Sequence, residues 1–111
     1  MKDWKEITSE DDVYSIIENS AVKPQIIFKD SVSCGISAYA KERLKDGYSL
    51  FEGKVGFNHL DLLRFRSVSK LIAETLEVRH QSPQIIVLKD KKVVYTTSHH
   101  AISAAGIAKY L

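Results

Sequence analysis

The feature that most constrains the fold is a pair of nearly identical apolar segments. Residues 24–30 have the sequence Pro-Gln-Ile-Ile-Phe-Lys-Asp, and residues 83–90 have the sequence Pro-Gln-Ile-Ile-Val-Leu-Lys-Asp. Short runs of β-branched and aromatic residues, bounded by turn-forming residues, are typical of strands buried on both faces of a sheet. We interpret the repeat as two central strands with similar packing demands rather than as a duplication. Strands of this kind need helices on both sides, so the sequence predicts an α/β domain.

Strands and helices are predicted to alternate along the rest of the chain. Helices are expected to begin near Ser9, Cys34, Ser67 and Ser98, and further strands are expected at residues 4–7, 55–60 and 93–95. Alternation implies parallel strands with right-handed crossovers, and a turn at residues 90–92 adds an antiparallel hairpin at the end. We therefore predict a single domain over residues 1–111, with a central mixed sheet of about four to five strands and about four flanking helices.

Composition limits the classes of function that fit this chain. Its 111 residues, with 44% hydrophobic and 27% charged residues, suit one soluble domain. A formal net charge of +2 with scattered lysines gives no basis for a nucleic-acid partner. The sequence contains neither a long apolar run typical of a membrane span nor the apolar stretch of a signal peptide near residue 1. We expect a cytoplasmic protein, where thiols stay reduced.

The only cysteine, Cys34, follows a predicted buried strand and begins a predicted helix. A helix N-terminus carries unpaired N–H groups and the positive end of the helix dipole, which favours a thiolate over a thiol. Position alone leaves two interpretations open, a reactive thiol or a buried inert cysteine that packs as a small hydrophobe. Either way a single cysteine excludes an internal disulfide.

Residues 28–37, Phe-Lys-Asp-Ser-Val-Ser-Cys-Gly-Ile-Ser, resemble the active-site segment of the monothiol bacilliredoxins. These are thioredoxin-like proteins of low-GC Gram-positive bacteria that act with the thiol bacillithiol. Segments 60–69, 78–84 and 98–102 are also similar to that family, so the resemblance extends over residues 25–111. The Cys-x-x-Ser motif is unspecific alone, and Ser-Pro-Gln at this spacing makes the combination fairly specific. The chain departs from the family at Gly35, where proline often follows the cysteine, and glycine makes the first helical turn less rigid.

The resemblance implies a thioredoxin-like fold and a site that joins distant parts of the chain. In that topology the strand before Cys34 runs antiparallel to the strand after Pro83, so the thiol and the proline become neighbours. The resemblance also implies a cis peptide bond before Pro83, with Ser82 able to pair with the backbone of a partner. A trans proline that merely opens a strand is the alternative. Gly35, Ser82 and Pro83 are accordingly expected to bind substrate.

The resemblance also implies how the thiol acts. Cys34 is expected to be the nucleophile, and Ser37 occupies the place where dithiol relatives carry a resolving cysteine. A hydroxyl at Ser37 can hydrogen-bond a thiolate and cannot form a disulfide, so a second thiol must complete the cycle. The expected function is a thiol–disulfide oxidoreductase that removes bacillithiol from protein mixed disulfides. Its partners would be bacillithiolated client proteins and bacillithiol or another thiol reductant, with no bound cofactor.

Two other classes of function stay open at this point. Cys-Gly-Ile-Ser at residues 34–37 also resembles the Cys-Gly-Phe-Ser site of monothiol glutaredoxins that carry iron–sulfur clusters, although their Gly-Gly-Asp segment has no counterpart near residues 97–101. A redox sensor whose modified Cys34 alters partner binding is the third interpretation. No metal site is expected from the four histidines, since adjacent histidines point apart. His80 lies close to Pro83 in the sequence, and we expect it to be a solvated loop residue rather than one that borders the site. Lys29 is expected either to supply positive potential near the thiol or to be a solvated residue at a strand end.

Overall fold

The computed structural model describes residues 4–111 and has a five-stranded sheet at its centre. The strands are β1 (Trp4–Glu6), β2 (Gln25–Asp30), β3 (Gly56–Asp61), β4 (Gln84–Lys89) and β5 (Lys92–Ser98). The helices are α1 (Glu10–Asn19), α2 (Gly35–Asp46), α3 (Arg66–Leu76) and α4 (Ala104–Ala108), with 3₁₀ turns at Tyr48–Leu50 and His99–Ala101. Residues 1–3, which belong to the predicted domain and to the N-terminal segment judged for a signal peptide, lie outside the described residues.

The strand order across the sheet is β1-β3-β2-β4-β5. β3 runs parallel to both β1 and β2, whereas β4 runs antiparallel to β2 and to β5. Lys29 lies opposite Gln84, so the end of β2 lies beside the start of β4. The predicted mixed sheet flanked by helices is therefore confirmed, as is the antiparallel pairing of its two central strands.

The sheet separates two apolar cores because alternate residues of a strand point to opposite faces. Ile26 and Phe28 of β2 pack with α2 and α4, while Ile27 packs with α1 and α3. All six residues of β2 are buried, and each fully buried Ile or Phe contributes about 1.5–3 kcal/mol relative to an exposed one. The two central strands thus anchor both layers of helices.

The first helix begins where the sequence predicts. The Ser9 hydroxyl accepts a hydrogen bond from the Asp12 backbone N–H at 3.2 Å. The third helix begins near Ser67, as expected, although Ser67 does not cap it, and the expected start at Ser98 is wrong. α3 begins one residue earlier, at Arg66, so Ser67 lies inside the helix.

The last helix begins later than the sequence predicts. His99 has φ = 54°, which lies in the left-handed region and stops a right-handed helix from starting at Ser98. The chain instead makes the 3₁₀ turn His99–Ala101, and α4 begins after Ser103, whose hydroxyl accepts from the Gly106 N–H at 3.0 Å.

None of the helices within residues 4–111 is long enough to span a membrane. The longest, α2, has 12 residues, whereas a transmembrane helix needs about 20 apolar ones, and no described helix meets that requirement.

Candidate active site around Cys34

Cys34 occupies the N-cap position of α2, with extended backbone angles φ = −100° and ψ = 130°. Its backbone N–H donates to the Ser31 carbonyl at 2.8 Å, and its own carbonyl accepts from the Ala38 N–H at 3.1 Å. The thiol is free and partly exposed, and its sulfur makes no capping hydrogen bond to the helix. The loop at residues 31–34 and the first helical turn therefore hold a free, partly exposed cysteine at the start of α2.

Ser37 lies three residues beyond Cys34 and is fully buried. Its hydroxyl oxygen accepts a hydrogen bond from the Ser31 backbone N–H at 3.2 Å. Within residues 4–111, no hydrogen bond joins Ser37 to Cys34. The Ser37 hydroxyl instead connects the beginning of the thiol loop to the first turn of α2, a role that the sequence did not indicate.

Gly35, the first helical residue after the thiol, is exposed. A Cβ atom built at this position meets no other atom within 4 Å. Packing therefore does not require glycine at this position, and the surface next to Cys34 is open.

Ser82 and Pro83 lie at the same end of the sheet as the thiol loop. The peptide bond between them is cis, which confirms the prediction made for this proline. The Pro83 carbonyl accepts from the His99 N–H at 3.0 Å, so the 3₁₀ turn after β5 is tied to this loop. The Ser82 hydroxyl oxygen is buried and has no hydrogen-bond partner among the described residues. A buried hydroxyl without a partner is uncommon, because leaving it unsatisfied costs about 1–3 kcal/mol.

A buried cluster that the sequence analysis missed lies on the α2 side of the sheet. Nε2 of His59 contacts a carboxylate oxygen of Asp30 at 2.8 Å, and Nδ1 contacts the Glu6 carboxylate at 2.9 Å. Each ring nitrogen of His59 therefore lies within hydrogen-bond distance of one carboxylate. Asp30 and His59 are buried, while the Glu6 side chain is 55% exposed. No sequence pattern indicated this cluster, because it depends on the register in which Phe28 of β2 pairs with His59 of β3.

Lys29 lies on the opposite face of β2, and its expected solvation is wrong. It is fully buried, and Nζ donates to the Ser69 carbonyl at 3.1 Å and contacts Nδ1 of His80 at 3.2 Å. Burial lowers the pKa of Lys29 from 10.5 to about 8. The pKa of His80 is also lowered, first by burial and then by the positive charge of Lys29. His80 is thus a partner of a buried amine as well as an exposed loop residue.

Metal-ligand geometry is absent from the described part of the chain. No group of three or more His, Cys, Asp or Glu side chains within residues 4–111 has an arrangement that could hold a metal ion.

Comparison with known proteins agrees with this architecture. A solved structure described as a candidate oxidoreductase with a thioredoxin fold is 26% identical to this chain, with a TM-score of 0.85. The match covers 98% of this chain and 94% of that one. A thioredoxin from Fasciola hepatica is 14% identical, with a TM-score of 0.71 over 95% of this chain and 93% of its own. Thioredoxin f from spinach chloroplast is 21% identical, with a TM-score of 0.70 over 96% and 88%. The last two likenesses concern the fold alone.

The family model for the monothiol bacilliredoxin BrxC matches residues 5–107. Together with the oxidoreductase-like neighbour, this match supports a thiol redox function of the thiol oxidoreductase class. The chain therefore has a thioredoxin-like fold and belongs to the monothiol bacilliredoxin family.

Proposed function

We propose that this protein removes bacillithiol from mixed disulfides on client proteins, with Cys34 as the nucleophile. The observation that carries the proposal is the placement of the only cysteine, partly exposed, at the N-cap of α2. Membership of the bacilliredoxin family supports bacillithiol as the small thiol.

The first step is an exchange of one disulfide for another. The Cys34 thiolate attacks the bacillithiol sulfur of the client's mixed disulfide. The bond between client sulfur and bacillithiol sulfur breaks, and a bond between Cys34 and bacillithiol forms. The client leaves as a thiolate that takes a proton from solvent, so the client cysteine is reduced and Cys34 is oxidised.

The second step needs a thiol from outside the chain. Ser37 has no sulfur, and no other cysteine exists in the sequence. A free bacillithiol or another thiol reductant attacks the bacillithiol sulfur of the adduct, forms a new disulfide with it and releases Cys34 as a thiolate. The cycle consumes reduced thiol at every turn, which fits a cytoplasmic setting.

Three further residues are proposed to bind the substrate. Gly35 borders the sulfur with open space, and Pro83 shapes the neighbouring loop at the same end of the sheet. Ser82 precedes the cis peptide bond and is proposed to pair with the backbone of a docked client. Ser37 is proposed to hold the thiol loop in place through the Ser31 N–H.

The test is the rate at which a purified bacillithiolated client regains its free thiol in the presence of excess bacillithiol. The wild-type protein should convert many equivalents of client, and Cys34→Ser should convert none above the uncatalysed rate. Ser33→Ala, which alters an exposed neighbour of the thiol, is the matched control and should retain the wild-type rate. Wild-type activity in Cys34→Ser would overturn the proposal. Conversion that stops after one equivalent would instead identify a sensor that is modified once.

A further inference from the structure

A cavity of about 300 Å³ lies between α3 and the loop that leads to β4. This volume is at the lower end of the range found for pockets that hold small organic molecules. Leu62 and Ala73 give the cavity apolar walls, and Arg66 and His80 add polar groups. The cavity therefore suits a compact molecule with an apolar body and a polar head.

A buried amine lies directly behind two of the lining residues. Nζ of Lys29 is within 3.2 Å of both the Ser69 carbonyl oxygen and Nδ1 of His80, and both of these residues line the cavity. An ammonium group only donates hydrogen bonds, so Nδ1 of His80 accepts and the ring proton lies on Nε2. Nε2 has no hydrogen-bond partner among the described residues, which leaves one N–H donor on His80 for a ligand.

Positive charge exceeds negative charge around this cavity. Glu74 is the only acidic residue of the described chain that lines it, and its carboxylate is already 3.8 Å from the ammonium of Lys70. Within residues 4–111, no carboxylate lies within 4.0 Å of Lys29 or Arg66. Both hydrogen-bond partners of the buried Lys29 ammonium lack a negative charge, which is unfavourable for a buried cation, and a bound anion nearby would relieve this.

We infer that this cavity binds a small monocarboxylate with an apolar body, at a site that does not include Cys34. The planar fork of the Arg66 guanidinium matches the two oxygens of a carboxylate, and the His80 Nε2–H adds a donor. Lys29 compensates the negative charge from behind Ser69 and His80. Leu62 and Ala73 contact the apolar body and favour a carboxylate on a hydrocarbon framework over a bare inorganic anion.

The experiment is a titration of the full-length protein with benzoate, followed by NMR of the backbone amides. Benzoate should produce saturable shifts at Ser69 and His80. Benzamide, which has the same shape without the charge, should bind at least about tenfold more weakly, the loss expected for one charge-assisted hydrogen bond. Inorganic phosphate should give weaker shifts because it has no apolar body.

Substitutions of individual cations test which positive charges contribute to benzoate binding. Arg66→Gln replaces an exposed side chain, and Lys29→Met replaces the buried amine with a side chain of similar length, and each should weaken benzoate binding by about tenfold. Lys45→Gln removes an exposed cation on α2, across the sheet, and should leave the affinity unchanged. Equal binding of benzoate and benzamide, or unsaturable shifts, would overturn the inference, and so would unchanged affinity in Arg66→Gln. Phosphate binding as tight as benzoate would overturn the assignment of an apolar body. None of these outcomes depends on thiol exchange at Cys34.

Discussion

Lys29 and Asp30 are neighbours in the chain and are both buried, but they lie on opposite faces of β2 and in opposite electrostatic situations. The Asp30 carboxylate meets His59 at 2.8 Å, and His59 in turn meets the half-exposed Glu6. The Lys29 ammonium meets only a carbonyl oxygen and a histidine whose pKa is lowered. One face of the strand therefore contains a compensated buried charge, and the other contains an uncompensated one.

The two faces differ in whether the described residues provide a partner of opposite charge for the buried group. Removing one partner of a buried charge pair destabilises the protein, because the remaining charge is then buried without an opposite charge beside it. No carboxylate of the described residues lies beside the Lys29 ammonium, so its burial lowers the stability of the protein alone. The comparison is the physical basis for expecting a ligand near Lys29 and none near Asp30.

The largest expected change in stability comes from removing His59, the partner of the buried Asp30 carboxylate. His59→Leu leaves Asp30 buried without a partner and should lower the free energy of unfolding by about 3–5 kcal/mol, as measured by urea denaturation. Glu6→Gln is the control, because its side chain is 55% exposed and the loss should stay below about 1 kcal/mol. Equal losses in the two variants would show that Asp30 is not stabilised by His59.

Replacing Lys29, whose buried charge is uncompensated, is expected to raise the free energy of unfolding rather than lower it. Lys29→Met at pH 7 removes a buried cation and keeps the apolar stem, so the free energy of unfolding should rise by about 1–3 kcal/mol. Lys89→Met, at the exposed end of β4, should change it by less than about 0.5 kcal/mol. A clear loss of stability in Lys29→Met would mean that the two hydrogen-bond partners compensate the charge fully.

The pH dependence of stability provides a second test of the uncompensated charge on Lys29. The pKa of Lys29 is about 8 in the folded protein and 10.5 as its ordinary value, so between these values the unfolded chain binds one more proton than the folded one. The contribution of Lys29 to stability therefore rises from pH 8 to pH 10.5, by at most about 1.4 kcal/mol per pH unit, and is lost as pH falls toward 8. The stability advantage of Lys29→Met over wild type should shrink across this window. An advantage that stays constant with pH would contradict the lowered pKa.

The smallest effect is expected at the thiol loop. Ser37→Ala removes the acceptor of the Ser31 N–H and should cost about 1 kcal/mol of unfolding free energy. Ser33→Ala changes an exposed serine of the same loop and should cost almost nothing. If both variants match wild type in thermal unfolding, the Ser37 contact does not hold the loop.

Much of this fold could be predicted from local patterns in the sequence. The two Pro-Gln-Ile-Ile segments indicated the central strands. The resemblance of the segments around Cys34 and Pro83 to a known family implied the strand pairing and the cis peptide bond. The last helix could not be placed, because the left-handed backbone at His99 is not encoded in any apolar periodicity. The burial of Lys29 and Asp30 was also beyond the sequence, since charged residues at a strand end normally face solvent. Only the register with β3 and the position of α3 bring His59 to Asp30 and Ser69 to Lys29.

The most direct test of the central claim is intact-mass analysis of the protein after incubation with oxidised bacillithiol. The account predicts one bacillithiol adduct on the wild-type protein, located on Cys34 and removed by excess reduced thiol, and no adduct on Cys34→Ser. An absence of adduct on the wild-type protein under conditions where oxidised glutathione does react would contradict bacillithiol as the small thiol. An adduct that excess thiol cannot remove would contradict a catalytic cycle through Cys34.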